Sequence, residues 1–382
     1  MRMKKIIKRI AIVGLALLGV IVAAALCLCA VVLVNSGRDK RNFAREQEAH
    51  IAALEEEYSQ PGYAPADEKT MTGFDVDAAV SGGARLNEIQ FIATHNSYKA
   101  YNPAAAKLMD RLIAPLGFAE KGMWSYGFEP LSQQFDKGIR SIELDVMREK
   151  AGFRCAHIPA VDNASNCPDF ALALREIALW SDHHPGHLPI MVLVEPKATI
   201  LSGGKLFHNF TFDDVLLLEE LVSDTLGSRL YTPSDMLGDY ESFAQLRAAD
   251  GYPALSALLG KIIVIYHYKP GTAEAYAAHD PTTRSHRLFL SLGRTPGREN
   301  RAYACFVIDN NSGSPYMEEH IGKNNMLVRT RTDTYPWRAD AWEAEALATG
   351  AFLLSTDFPP RDIPGEDPHI VTFDGGATVR KR

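Results

Sequence analysis

Apolar residues are arranged along this chain in two different ways. From Ile10 to Val34 there are 25 consecutive uncharged and almost wholly aliphatic residues. A helix of that length rises about 37 Å, enough to cross a hydrocarbon core of about 30 Å with some tilt. The run is too long for the apolar centre of a cleavable signal peptide, and Val32-Leu33-Val34 is a poor approach to a cleavage site. It therefore reads as a transmembrane signal-anchor over 10–34 behind a short basic tail at 1–9. No later run is long enough to span, so the tail is expected in the cytoplasm. The rest would then lie outside, periplasmic or extracellular, as a single-pass protein. Cleavage of the segment would instead give a secreted one.

Residues 42–58 mix Ala, Glu and Leu without turn residues and predict a short juxtamembrane helix, with too few apolar positions for a coiled coil. Pro61, Gly62, Pro65 and Ser81-Gly82-Gly83 then mark a linker, so 35–84 separates the anchor from a body at 85–382. In that body the second pattern takes over: short β-branched or aliphatic runs alternate with longer segments. Strands are predicted at Ile89–Thr94, Arg140–Val146, Gly152–His157, Ile190–Val194, Lys261–Tyr266, Ala304–Ile308, Met326–Arg331 and Phe352–Thr356. Helices are predicted between several of them, including Asp169–Ser181 and Asp213–Leu226. Continuous apolar runs suit parallel strands covered on both faces. Eight of them predict an α/β fold, a (β/α)8 TIM barrel, irregular where the second and third strands lie close together. A doubly wound open sheet is the runner-up, disfavoured because no Gly-rich phosphate loop follows the first strand.

Charge sharpens the division. The net charge of -7 argues against nucleic-acid binding, yet it averages two unlike parts. Residues 1–45 carry nine Lys/Arg and one acid, whereas the remainder carries 31 basic and 46 acidic residues, a balance of -15. The hydrophobic content of 46% excludes a disordered chain.

The candidate chemistry lies at the strand ends. The first strand runs into His95-Asn96-Ser97, and the second carries Glu143 and Asp145 on one side. The third ends in Ala156-His157, the fourth in Glu195-Pro196-Lys197, and the seventh contains Arg331. In a barrel such residues converge at the C-terminal rim. Asn96, Glu143, Asp145 and Glu195 offer only oxygen donors, which suits Ca²⁺, with Mg²⁺ second, and not zinc. His95 and His157 could serve as base and acid on either side of a phosphate, while Lys197 and Arg331 bring fixed positive charge for phosphate oxygens. An oxygen-held metal, two histidines and cationic clamps together describe phosphodiester cleavage.

Thr94-His95-Asn96-Ser97-Tyr98, Ser141-Ile142-Glu143-Leu144-Asp145-Val146 and the later His157 resemble the catalytic domain of phosphoinositide-specific phospholipases C, closest to the calcium-dependent bacterial branch. Leu131–Val146 fits as well, and the likeness covers about residues 85–360. The resemblance implies attack of an inositol 2-hydroxyl on the phosphate, giving a cyclic phosphate and diacylglycerol. By position, His95 and His157 match the catalytic histidines, and Asn96, Glu143, Asp145 and Glu195 match the calcium ligands. The expected partners are a phospholipid or other phosphodiester substrate and the membrane. Glycerophosphodiester phosphodiesterases come second, since they usually show His-Arg-Gly where this chain has His95-Asn96-Ser97. A catalytically inactive, membrane-tethered lipid-binding barrel is the non-enzymatic alternative.

Other candidates have plainer explanations. Cys155 and Cys167, twelve residues apart, form a disulfide candidate in an oxidising compartment, whereas Cys305 reads as a buried thiol. His183, His184 and His187 are interrupted by Pro185-Gly186 and read as a helix-terminating loop, not a metal cluster. Arg331 could simply pair with Asp333, and Asp357 lies where it could either reach the pocket or cap a loop.

Overall fold

A computed structural model describes residues 2–101, 107, 111, 126–150, 152–157, 164–202, 205–362 and 369–382. Strands β1 (Ile89–Thr94), β2 (Ser141–Glu149), β3 (Gly152–Cys155), β4 (Ile190–Lys197), β5 (Thr199–Ser202) and β6 (Lys205–His208) form the first half. They are followed by β7 (Ile262–Tyr266), β8 (Phe289–Gly293), β9 (Phe306–Ile308), β10 (Leu327–Arg331), β11 (Leu353–Thr356) and β12 (Val379–Lys381). Among the described residues, eight strands run parallel in the spatial order β2-β4-β7-β8-β9-β10-β11-β1. β3 and β12 add antiparallel edges to the same ten-stranded sheet, and β5 and β6 form a separate hairpin.

This is the strand arrangement of an irregular TIM barrel, with one seam left open. No ladder joins β1 to β2 among the described residues. Near the N-terminal end of β1, β12 occupies the free edge. At the other end Ser97 does the joining: its N–H donates to the Glu143 carbonyl (3.0 Å) and its Oγ accepts from the Glu143 N–H (2.8 Å).

Two expectations about strands change. Gly152–His157 is not a barrel strand; it folds back on β2 as an antiparallel hairpin, since only a short turn separates the two and parallel pairing needs a long crossover. The missing barrel strand is Phe289–Gly293, whose five-residue run becomes recognisable as a strand only through its lateral pairing with β7 and β9.

Period-two alternation sorts the side chains into two apolar layers. Phe91 and Ala93, Met191 and Leu193, Ile263 and Ile265, Phe289, Phe306, Leu327 and Leu353 fill the interior. Ile92, Ile142, Leu144, Val192, Val194, Val264 and Leu354 face outward, in the same apolar layer as residues of helices Phe170–His183 and Phe212–Leu226.

The N-terminal region is less segmented than its sequence suggests. Helix α1 runs unbroken from Arg2 to Tyr58, so the separate helix expected at 42–58 is the continuation of the apolar span. From residue 36 onward one face of α1 is covered: Ser36, Asp39, Gln47, Ile51, Leu54 and Tyr58 are buried at helical spacing. Half of that stripe is polar, which is why hydrophobicity alone does not reveal it. Residues 59–84 are likewise built in, as α2 (Glu68–Thr72) and α3 (Val76–Ser81), N-capped by Asp67 and Asp75. Glu68 grips the fully buried Arg140 with two bonds (2.7 and 2.6 Å) and accepts the Leu188 N–H (3.0 Å). This ties α2 to the N-terminal ends of β2 and β4.

Candidate active site

The alternation that builds the apolar interior also builds the site. On β1, Phe91 and Ala93 point inward, so the next residue in phase is His95. On β4, Met191 and Leu193 are followed by Glu195 and Lys197; on β7, Ile263 and Ile265 by His267. On β2 the phase selects Glu143 and Asp145, on β10 Arg329 and Arg331, and on β11 Ser355 and then Asp357. An apolar layer thus changes to a charged one at the C-terminal ends of the strands, where a barrel places its chemistry.

His95 is held at both ends. Its backbone N–H donates to the Thr356 carbonyl (3.0 Å), extending the β1–β11 pairing by one residue. Its Nδ1 lies 2.7 Å from Asp357 Oδ1. Arg331 Nη2 sits 3.0 Å from both that nitrogen and Asp357 Oδ2, and the Tyr335 N–H also donates to Oδ2 (2.8 Å). A guanidinium only donates, so it bonds the carboxylate while Nδ1–H donates to the other oxygen, and Nε2 remains the acceptor. Burial alone would raise the Asp357 carboxyl; His95 and Arg331 outweigh it and bring it down to about 2. Arg331 therefore pairs with Asp357, not Asp333. Asp333 instead accepts from Thr332, Thr356 and the Asp357 N–H, fixing the loop behind the pair.

The acidic residues meet next to this pair. Ligand oxygens of Glu143, Asp145 and Glu195 all lie within 4.8 Å of one another. Arg329, itself buried, bonds Glu143 and donates to Ser355 Oγ (2.9 Å). Although burial would raise it, Glu143 is held at about 2 by Arg329, His95, His267 and Arg331. Asp145 goes the other way: burial and then the charges of Glu195 and Glu143 push it well above the usual carboxylate range, with Lys197 only partly offsetting them. Lys197 Nζ lies 2.5 Å from Glu195 Oε1 and 3.4 Å from Asp145 Oδ2. It lies within the acidic cluster in this structure.

Two features fit a hard cation here. Asp145 Oδ1 is buried with no hydrogen-bond partner, an unmet acceptor of the kind a metal satisfies. Asn96, buried and at φ 52°, turns the chain out of β1, a backbone conformation that Asn tolerates. The Tyr98 hydroxyl lies 2.6 Å from Asp145 Oδ2 and 3.1 Å from Asn96 Oδ1. With one proton, it donates to the nearer carboxylate and leaves Asn96 Oδ1 as an available oxygen donor.

His157 is half-buried just beyond β3. The hairpin register carries the chain back so that the Ala156 N–H meets the Asp145 carbonyl (3.3 Å), placing His157 at the height of the acidic cluster. Residues 158–163 lie outside the described segments. Cys155 and Cys167 are both buried and both free thiols here. Burial and a hydrogen bond with Cys155 push Cys167 well above the ordinary thiol value.

The sequence pattern did not single out His267, and it placed Arg329 at a strand end without giving it a role. Yet His267 follows β7 as His95 follows β1, and Arg329 shares the face of Arg331, so strand phase marks both. Burial pushes His267 below the usual histidine range, towards the neutral form, against the pull of Glu195 and Glu143. The three histidines near Pro185 are structural. His183 and His184 bond the Leu179 and Trp180 carbonyls (2.9 and 2.7 Å), and His187 bonds Ser181 (2.8 Å).

Comparison with known proteins agrees with this fold. The sequence profile of the family described as phosphoinositide phospholipase C, Ca²⁺-dependent, matches residues 84–152 and 148–382. No curated protein matches the chain significantly in sequence. A crystal form of the calcium-dependent phosphoinositol-specific phospholipase C from a Gram-negative Pseudomonas sp. is 19% identical, with TM-score 0.54, covering 83% of this chain and 100% of that one. Its myoinositol complex is 18% identical, with TM-score 0.54, covering 81% of this chain and 99% of that one. The Ca²⁺-dependent phosphatidylinositol-specific phospholipase C from Streptomyces antibioticus is 21% identical, with TM-score 0.51, covering 72% and 94%. At these identities the structures speak for a shared fold, whereas the sequence profile takes in the body with its whole set of strand-end residues. The chain belongs to the calcium-dependent phosphoinositide phospholipase C family, a family of phosphodiesterases.

Proposed function

We propose that the protein cleaves the phosphodiester of phosphatidylinositol, or of a closely related phospholipid, in a calcium-dependent reaction. The observation that carries this reading is the junction of two units on one rim: His95 oriented by Asp357, and three acids around the unpartnered Asp145 Oδ1. Glu143, Asp145, Glu195 and Asn96 would hold the calcium ion, which when bound supplies charge stabilisation for phosphate oxygens and lowers the pKa of a coordinated hydroxyl.

The remaining chemistry belongs to the chain's own groups. His95 Nε2 takes the proton of the attacking substrate hydroxyl while the new P–O bond forms. Asp357 holds the ring in the required tautomer and orientation. Arg331, next to His95, faces the developing negative charge on phosphorus-bound oxygens. His157 returns a proton to the leaving oxygen as the old P–O bond breaks, releasing diacylglycerol. The apolar span at 10–34 anchors the body to a bilayer, with the body on the extracytoplasmic side.

The test is release of water-soluble inositol phosphate from phosphatidylinositol vesicles by the full chain, with calcium or with chelator. Release should need calcium and fall by roughly 10²–10⁴-fold in His95→Ala. Turnover unaffected by chelator would remove the metal from the mechanism. Release from soluble glycerophosphodiesters but not from phosphatidylinositol would reassign the substrate.

A further inference from the structure

The partners of α1 follow an order that gives the barrel a direction. Lys40 pairs with Glu149 (2.6 Å), at the C-terminal end of β2. Gln47 then exchanges two bonds of 2.9 Å with the backbone of Asp169, the N-cap of helix Phe170–His183. His50 bonds Glu176 (3.2 Å) in the middle of that helix and Ser132 Oγ (2.8 Å). Tyr58 stacks on His183 at its end, with centroids 4.5 Å apart. Thus α1 runs down the barrel wall beside this helix, entering at the catalytic rim and ending near the base. Its apolar span leaves from the rim side.

The spacing is tight as well. The span ends at Val34, and Ser36 is already buried. Lys40 is only about 9 Å of helix beyond Val34 at about 1.5 Å per residue. The helix continues without a break through Asn35-Ser36-Gly37, so the span passes into the docked half as one element. Arg38, Arg41 and Arg45 are exposed on the first turns past the span, where they suit anionic headgroups.

We propose that α1 is a rigid orienting strut: it holds the catalytic rim against the surface of the same bilayer that its apolar half crosses. The surface that partners the rim is then an anionic lipid face, and the substrate is drawn from the membrane that carries the enzyme. The local positive charge near the span would offset the repulsion of an anionic surface by a body of net charge -15. The proposal rests on the anchoring stated above, and its test separates the two.

The full chain, with Cys27→Ala and Cys29→Ala, is reconstituted in phosphatidylcholine vesicles containing phosphatidylinositol and an acceptor-labelled lipid. A donor dye is placed at Asp340→Cys, exposed just beyond β10 on the rim, or at Ser81→Cys, exposed at the opposite end. Transfer to the lipid should be several-fold stronger from residue 340 than from residue 81. A flexible Gly-Ser insertion after Asn35 should erase the difference and lower turnover of vesicle phosphatidylinositol several-fold, with turnover of a soluble phosphodiester unchanged. Equal transfer from both positions, or stronger transfer from residue 81, overturns the strut while leaving anchoring and chemistry intact. Failure of the chain to float with the vesicles overturns the anchoring reading, and the strut with it.

Discussion

His95 and Asp357 are 262 residues apart and 2.7 Å apart in space, so the histidine owes its tautomer to the far end of the chain. Asp357→Asn keeps the shape but removes the charge that orients the ring. Turnover should drop by roughly 10²-fold or more at a temperature where the variant is still fully folded, measured by steady-state kinetics beside a thermal scan. Asp145 offers a different diagnostic. Its buried and partly uncompensated carboxyl is a cost in the absence of a cation. Asp145→Asn should therefore leave the calcium-free protein at least as stable as the parent, yet abolish stabilisation by calcium. In the parent that stabilisation should reach about 2.7 kcal/mol at a calcium concentration ~100-fold above Kd, read as a shift in Tm. Equal calcium shifts in both proteins would place the metal elsewhere.

At the level of elements, the barrel strands explain why the site has the composition it does. On β1, β4, β7, β10 and β11 the inward-facing row begins apolar and ends polar, so one alternation serves packing below and chemistry above. That row was readable in the sequence wherever the polar end was conspicuous, as at Glu143-Leu144-Asp145 and His95-Asn96. It was not readable at His267, whose strand ends in an unremarkable His-Tyr-Lys. The docked half of α1 escaped for a related reason: its buried face uses Ser36, Asp39 and Gln47 beside Ile51 and Leu54, and polar burial is favourable only when the partner is present. Leu54→Ala should cost about 2–4 kcal/mol in a denaturation experiment, as a packed core position would and a solvated linker would not. At the β3 end, oxidation of Cys155 with Cys167 should close a short loop and stabilise by roughly 3 kcal/mol. Mass spectrometry of protein exported to an oxidising compartment would show the loss of two hydrogens, and reduction should lower Tm.

The whole molecule should also report its electrostatics through pH. The folded chain keeps Asp357 ionised down to about 2, whereas an unfolded aspartate takes its proton near about 4. The contribution is therefore complete above about pH 4 and lost as pH falls towards 2, amounting to roughly 2–3 kcal/mol. Asp357→Asn should flatten this acid limb of the stability curve.

An apolar span, an α/β body and the identities of the rim acids follow from local pattern alone, because aliphatic length, strand periodicity and charged strand ends are properties of neighbouring residues. Which strands close the barrel, which carboxylate orients His95, whether Arg331 serves Asp333 or Asp357, and which way the apolar span leaves the body are different in kind. They depend on groups that meet only when separate segments pack. Burial then turns a weak preference between partners into a single arrangement.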